Sequence, residues 1–298
     1  MEYCDKQTNT DDINNIEIPE DFDTVVIAGG SSKGILTLGA LQYAYDNFLL
    51  KKINTYIGTS SGSIICFLLL IGYTPIEIIV YLCTHQLLEK LQHFNIVAML
   101  NGNGALSFSS IYEQLEKMTI DKLGYLPTFR DIHNNFKKNL ICVTYNITDD
   151  KTEYISYDTN PNLPCLIGLK MSSNLPLIFE KYKYGDKFYV DGGITDNFPI
   201  DLGDKIGNRV LGLLVSHEVG NFNNHTDESI LEYIYKLIFI PMSQTVEYKL
   251  SHISKKCKII KLNYDKLKIF NFNINSKEKL DIFSIGYEQI KKEFEEEI

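Results

Sequence analysis

Seven residues, Ile57-Gly58-Thr59-Ser60-Ser61-Gly62-Ser63, constrain this chain more than any other stretch. A β-branched approach, Ile53 to Ile57, runs into Gly-x-Ser-x-Gly, and an unbroken apolar run from Ile64 to Ile71 follows at once. Strand, glycine-flanked serine, helix is the context that a nucleophile elbow requires. The turn is so tight that Cβ atoms on either side of the serine would collide, which assigns Gly58 and Gly62 to clearance. Ser60 is expected in strained backbone geometry, with its hydroxyl lifted onto the helix N-terminus. A Gly/Ser turn without chemistry is spelled the same way, so the reading depends on what else the chain carries.

Thirty residues upstream, Thr24-Val25-Val26-Ile27-Ala28 reads as a strand buried on both faces. Gly29-Gly30-Ser31-Ser32-Lys33-Gly34 follows, and then Ile35, Leu38, Leu41, Tyr45 and Phe48 recur at helical spacing. A glycine-rich turn between strand and helix leaves backbone N–H groups unpaired and aimed at one spot, a natural place for negative charge. The spacing fits neither a dinucleotide fingerprint nor a phosphate loop, and a tight turn without chemistry is the alternative. Beside an acyl-transfer serine, the N–H groups of Gly29, Gly30 and Ser31 are candidates for an oxyanion hole, Gly30 and Ser31 foremost.

The third signal is Phe188-Tyr189-Val190-Asp191-Gly192-Gly193, continuing to Asp196-Asn197-Phe198-Pro199. An apolar strand delivers Asp191 at its carboxyl end, and Gly192 and Gly193 allow close approach of other groups. Ligands of open α/β sheets bind beyond strand carboxyl ends, which places Asp191 on the edge where Ser60 emerges. An Asx-turn closing a strand is the alternative. Asp196 is the competing carboxylate, with a loop or capping role expected. Among the six histidines, His217 follows the strand Val210–Val215 and offers an α/β-hydrolase triad; His252 is a weaker candidate, and His85, His93, His133 and His225 read as surface or structural. α/β-hydrolase elbows follow several strands, whereas Ser60 follows one, which favours a pair without histidine.

The net charge of −9, from 29 basic and 38 acidic residues, argues against nucleic acid as a partner and against whole-molecule attraction to anionic membranes. Seven lysines against one acid between Lys249 and Lys268 form either a headgroup-facing patch or a solvated surface. Scattered cysteines without metal-ligand spacing point to an intracellular protein with no metal or cofactor. Residues 1–20 read as a disordered acidic tail and residues 21–298 as one domain. The apolar run at 64–71 is too short to cross a bilayer and reads as a buried helix, with a second helix after Pro75. Further expectations are a helix carrying Ile111, Leu115 and Met118, a hairpin pairing Leu140–Tyr145 with Glu153–Tyr157, and a short helix at Cys165–Met171. Towards the C-terminus come a helical stretch kinked or broken at Pro241, a strand at Ile259–Leu262 and a last helix at Leu280–Phe294.

Together these motifs resemble the patatin-like phospholipase family. Gly29–Gly34 matches the family's oxyanion stretch, with Ser31 where a third glycine is usual and Lys33 where arginine is commoner. Gly58–Gly62 matches the nucleophile motif, and Asp191-Gly192-Gly193 with its Asp-Asn-x-Pro trailer matches the base motif. Ser172-Ser173-Asn174-Leu175-Pro176 resembles the small-residue helix end that precedes the Asp-bearing strand. The similarity covers about Thr24 to Val215, with 216–298 completing the domain. It implies a three-layer α/β fold with a central, mostly parallel sheet flanked by helices. It also implies a Ser60–Asp191 dyad that cleaves fatty-acyl esters through an acyl-enzyme, acting on lipid at a membrane or micelle surface. Acyl transfer or thioester hydrolysis by the same dyad, and a catalytically weak lipid-binding module, are the alternatives.

Overall fold

The computed structural model describes residues 21–85, 104–216, 230–264 and 274–296. The expected acidic tail at 1–20, His93, His217, His225, Lys266 and Lys268 lie outside the described residues.

Parallel strands β1 (Thr24–Ile27), β2 (Thr55–Thr59), β3 (Asn139–Asn146), β7 (Val210–Val215) and β8 (Cys257–Leu262) form the body of one sheet, in the order β3-β2-β1-β7-β8. Strand alternation separates the two faces. Val25 and Ile27 enter the larger core, whereas Val26 enters a second core with Ile57, Phe198, Ile200 and Val246. The larger core is closed by α1 (Gly34–Asp46), α2 (Ser61–Leu70), α3 (Pro75–Thr84), α4 (Ser109–Leu123), α5 (Phe129–Phe136) and α6 (Cys165–Ser172). The other face carries α7 (Ile200–Ile206) and α8 (Ile230–Leu250), and α9 (Ser276–Glu295) packs on α1. This is the expected three-layer α/β architecture.

Helix α2 is apolar nearly all round and almost wholly buried, as an internal helix must be. Helix α3 turns away from it by 119°, started by Pro75 and a capping box between Thr74 and Glu77. No single described helix is long and apolar enough to cross a membrane. Helix α8 runs through Pro241 without breaking; the buried side chains of Tyr235, Met242 and Val246 lie on both sides of the proline and hold the helix across the missing N–H.

One expectation is corrected in its reasoning. Asp191 does end a strand, β6 (Lys187–Asp191), but β6 runs antiparallel to β3, so the shared carboxyl edge of a parallel sheet does not place it. Cys142 and Val143 of β3 pair with both β2 and β4 (Lys151–Ile155), while Thr144, Tyr145 and Asn146 pair with both β4 and β6. A strand has two edges, so β2 and β6 occupy the same edge of β3, end to end. Strand β3 is long enough for both. The short edge strand β5 (Tyr182–Tyr184) covers the outside of β6.

The α1–α9 crossing is close enough that a Cβ at Gly39 would overlap the Phe283 carbonyl, and one at Gly286 the Leu36 carbonyl. Backbone atoms cannot yield as a side-chain tip can. Gly286→Ala is expected to cost about 1–3 kcal/mol or more, read as a lower urea midpoint at unchanged m-value.

Candidate active site

Ser60 follows the last residue of β2, with φ 55° and ψ −128°, a region that L-residues rarely adopt. Glycine clearance is as the motif requires: a Cβ at Gly58 would meet Ser63 N and Gly62, and one at Gly62 would overlap Ile27 O. The strained serine is held by hydroxyls as well as by the backbone N–H of Ser63, which donates to Ser60 O at 2.9 Å. Ser60 N–H donates to Ser172 Oγ at 3.0 Å, and Ser63 Oγ donates to Ser60 O at 2.7 Å.

Asp191 arrives from the opposite direction. Its register partner is Thr144, one step beyond Val143, the partner of Thr59. The chains that carry Ser60 and Asp191 therefore leave the sheet at adjacent positions, about 3.3 Å apart along β3. A Cβ at Gly192 would overlap Val143 O, so the chain turns aside there into a 3-10 turn, Gly192–Ile194. Asp191 is 1% exposed; its Oδ1 accepts from Gly193 N–H at 2.7 Å, and Oδ2 has no hydrogen bond of standard geometry. Burial pushes the carboxyl up to about 7, against the lowering effects of the Ser60 hydroxyl and the Gly193 amide. The hydroxyl thus acts on the carboxyl as a nearby donor whose alignment is incomplete, as is common before substrate binds.

The glycine-rich turn lies against this pair. Gly29 N–H donates to Asn197 O at 3.1 Å, so that amide serves the scaffold instead of the oxyanion hole expected of it. The missing side chain of Gly29 is what matters, since a Cβ would overlap Asn197 Oδ1 and press on Ser60 Cβ. Gly30 N–H donates to Ser61 Oγ at 3.0 Å, a partner that can rotate away. Ser31 stands at φ 50° and borders both pockets that contain Ser60. Lys33 is buried and donates to Ser216 O at 3.4 Å, tying the turn to the end of β7; Gly34 opens α1.

Three contributors gave no chemical signal in sequence. Ser172 and Asn174 hold Ser60 and Asp191, Ser172 through the Ser60 amide and Asn174 through its carbonyl, which accepts Asp191 N–H at 3.0 Å. Asn197 Nδ2 donates to Gly29 O at 3.1 Å, closing a two-bond bridge between base loop and glycine turn. The competing carboxylate, Asp196, is committed to other partners: it accepts Tyr154 Oη and Lys249 Nζ, each at 2.7 Å. No described histidine lines either pocket at Ser60. His133 stacks on Tyr157, and His85 and His252 pack on Tyr81 and Tyr248.

A family model described as patatin-like phospholipase matches residues 25–204. This chain belongs to the patatin-like phospholipase family. Among curated relatives of this patatin-like chain, the "Probable lipid hydrolase 463L" of Invertebrate iridescent virus 6 is 38% identical over 197 residues, 64% of this chain and 66% of that one. "Uncharacterized protein R571" of Acanthamoeba polyphaga mimivirus is 27% identical over 285 residues, 90% of this chain and 92% of that one. VipD from Legionella pneumophila shares the fold, with TM-score 0.55 at 16% identity over 91% of this chain and 66% of that one.

The carboxyl of Asp191 predicts a stability signature. An unfolded aspartate titrates near 3.9, so between about 4 and 7 the native state binds the extra proton. Stability from this group is complete below pH 4 and is lost as pH rises through about 7. Asp191→Asn removes that loss. Urea unfolding is expected to show the variant more stable than the parent at pH 8, by on the order of 4 kcal/mol, and equal to it at pH 4.

Proposed function

We propose that this protein is a lipid acyl hydrolase in which Ser60 is the nucleophile and Asp191 the general base. Family membership and the name of the iridovirus relative support lipid hydrolysis in general terms. The observation that carries the finer reading is the placing of Ser60 between a desolvated carboxylate and an apolar cavity. That cavity, of about 150 Å³, starts at Ser31, Ser60 and Ser61 and is walled almost wholly by aliphatic and aromatic side chains of α1 to α4. Across it Tyr81 Oη donates to Gln114 Oε1 at 2.7 Å, which pairs those two wall groups, while Ser173 Oγ on the same lining has no hydrogen-bond partner among the described residues. Such a space suits a fatty-acyl chain and offers little to a sugar or a peptide. A smaller pocket contains Asp191 and Asn197 and is roofed by Tyr235, Ile238, Phe239 and Met242 of α8; it suits the alcohol portion of the ester.

In this reading Ser60 Oγ attacks the ester carbonyl while its proton passes to Asp191 Oδ2. The tetrahedral oxyanion takes hydrogen bonds from Ser31 N–H and from Gly30 N–H, the latter released as Ser61 Oγ turns away. Collapse breaks the ester bond, and the departing alcohol takes the proton from Asp191. Water then gives a proton to Asp191, attacks the acyl-serine and releases the fatty acid and Ser60. A carboxylate near 7 is a far better base than one near 4, so kcat/KM should rise with pH through an apparent pKa of about 7. The lipid would be taken at a membrane or micelle surface. The basic cluster gives little support to headgroup attraction, because Lys249 is held by Asp196 and Asp201, Lys256 by Asp204 and Lys261 by Glu247.

A fluorophosphonate probe is expected to label the protein and to lose its target in Ser60→Ala. Fatty acid release from phospholipid vesicles, lysophospholipid micelles or a triglyceride emulsion should fall to background in both Ser60→Ala and Asp191→Asn. Labelling retained in Ser60→Ala would end the reading.

Leu68 lies two turns up α2 from Ser61, about 10 Å along the axis, and lines the acyl cavity. Leu68→Phe should leave a butyryl ester unaffected and slow a palmitoyl ester by roughly tenfold, measured as the ratio of kcat/KM values.

A further inference from the structure

Lys249 lies outside the residues matched by the family model and far along the chain from all three motifs. Its side chain is nonetheless only 12% exposed, and Nζ sits 2.7 Å from Asp196 Oδ1 and 2.5 Å from Asp201 Oδ1. Resting on the hydrolase reading above, we propose that Lys249 is a positioning residue for the Ser60–Asp191 pair and acts through Asp196.

Asp196 and Asn197 touch every part of the site. Asp196 N–H donates to Gly192 O at 2.8 Å, closing the loop that begins at the base. Asp196 O accepts Thr59 Oγ1 at 3.0 Å, fixing the residue before the nucleophile. Asn197 holds Gly29 from both sides. The placing of this dipeptide therefore sets the separation of base, nucleophile and glycine turn. What holds the dipeptide is the buried Asp196 carboxylate, 4% exposed between Tyr154 and Lys249.

A carboxylate so buried is unfavourable alone: burial raises its pKa, and the Lys249 cation and the Tyr154 hydroxyl oppose that shift. Asp201, half exposed at the start of α7, shares the same ammonium and adds the remaining charge facing it. Removing Lys249 leaves Asp196 either unpaired or protonated, and in both states the loop loses the bond that draws it towards α8. A displacement on the order of 1 Å between reacting groups is enough to cost about 100-fold in rate. The C-terminal third thereby contributes to catalysis as well as to the second pocket.

The test uses the full chain. Turnover of p-nitrophenyl butyrate is measured per active site, with sites counted by fluorophosphonate titration so that misfolded protein drops out. Lys249→Met is expected to lower kcat about tenfold or more with KM changed less than about twofold, and Lys249→Arg to restore most of it. Asp196→Asn should lower kcat similarly, and the double variant should fall no further than either single one, because the two residues act as one unit. Should Lys249→Met fail to fold, Tyr154→Phe, which removes the other partner of Asp196, is read in its place, with about a threefold loss in kcat at constant KM. Parental turnover per titrated site in Lys249→Met, or a double variant whose losses multiply, overturns the proposal and leaves the dyad standing. Absence of turnover and labelling in the parent protein overturns both.

Discussion

Strands β2 and β6 run towards each other along one edge of β3, and neither can continue, because the other occupies the next register position. Each must leave the sheet where they meet. The residues at the two exits are Ser60 and Asp191. The site is thus the consequence of a collision between two chain ends that share one edge. The glycines beyond each exit are needed because a Cβ at Gly192 would overlap Val143 O, and one at Gly62 would overlap Ile27 O. This arrangement fixes the approach of acid and alcohol through backbone hydrogen bonds of the sheet, which is stiffer than any pairing of two loops.

A carboxylate that acts as a base without an imidazole, the role proposed for Asp191, has to gain its basicity from its surroundings. Burial raises the Asp191 carboxyl, with Oδ1 bound to the Gly193 amide and Oδ2 without a hydrogen bond of standard geometry. The same burial works against the fold at neutral pH, since an ionised carboxylate in that position is poorly solvated. In the proposed mechanism, stability and catalysis therefore oppose each other at one carboxylate. The surrounding serine hydroxyls, the Asn174 carbonyl and the Asn197 bridge hold backbone and loop without supplying a cation that would lower the basicity. Lys249 stands one residue layer away, its ammonium paired with Asp196 and not with Asp191.

Much of this was legible in the sequence wherever the physical cause was local. The elbow could be read because the collisions that demand Gly58 and Gly62 arise within a few residues of Ser60. Helices α1 and α2 could be read from their spacing and their apolar runs. Asp191 was found for an incomplete reason: a strand end was visible, but its direction depends on pairing with β3, more than forty residues away, which no local pattern encodes. The roles of Ser172, Asn174 and Asn197 were hidden for the same cause, since backbone-bonding small polar residues look alike in loops and in sites. Gly29 shows the converse. Its type was read correctly, but whether the amide or the missing side chain is used depends on Asn197, 168 positions later.

Two serines in the left-handed region, Ser31 and Ser60, flank the point where the pockets join. Each such conformation costs on the order of 1–2 kcal/mol for a residue with a Cβ. At Ser60 the proposed role as nucleophile requires a side chain, so the cost goes with the chemistry. At Ser31 a glycine would remove the cost, and its hydroxyl joins those of Ser60 and Ser61 at one end of a mostly apolar cavity. Around both residues hydroxyls add to backbone bonds: Ser61 on the Gly30 amide, Ser172 on the Ser60 amide, and Ser63 on the Ser60 carbonyl, which also accepts Ser63 N–H. A hydroxyl can rotate and exchange partners without moving backbone. In the proposed mechanism Ser61 Oγ can therefore release the Gly30 amide to a new negative charge, which a backbone-to-backbone bond such as that of Gly29 does not allow.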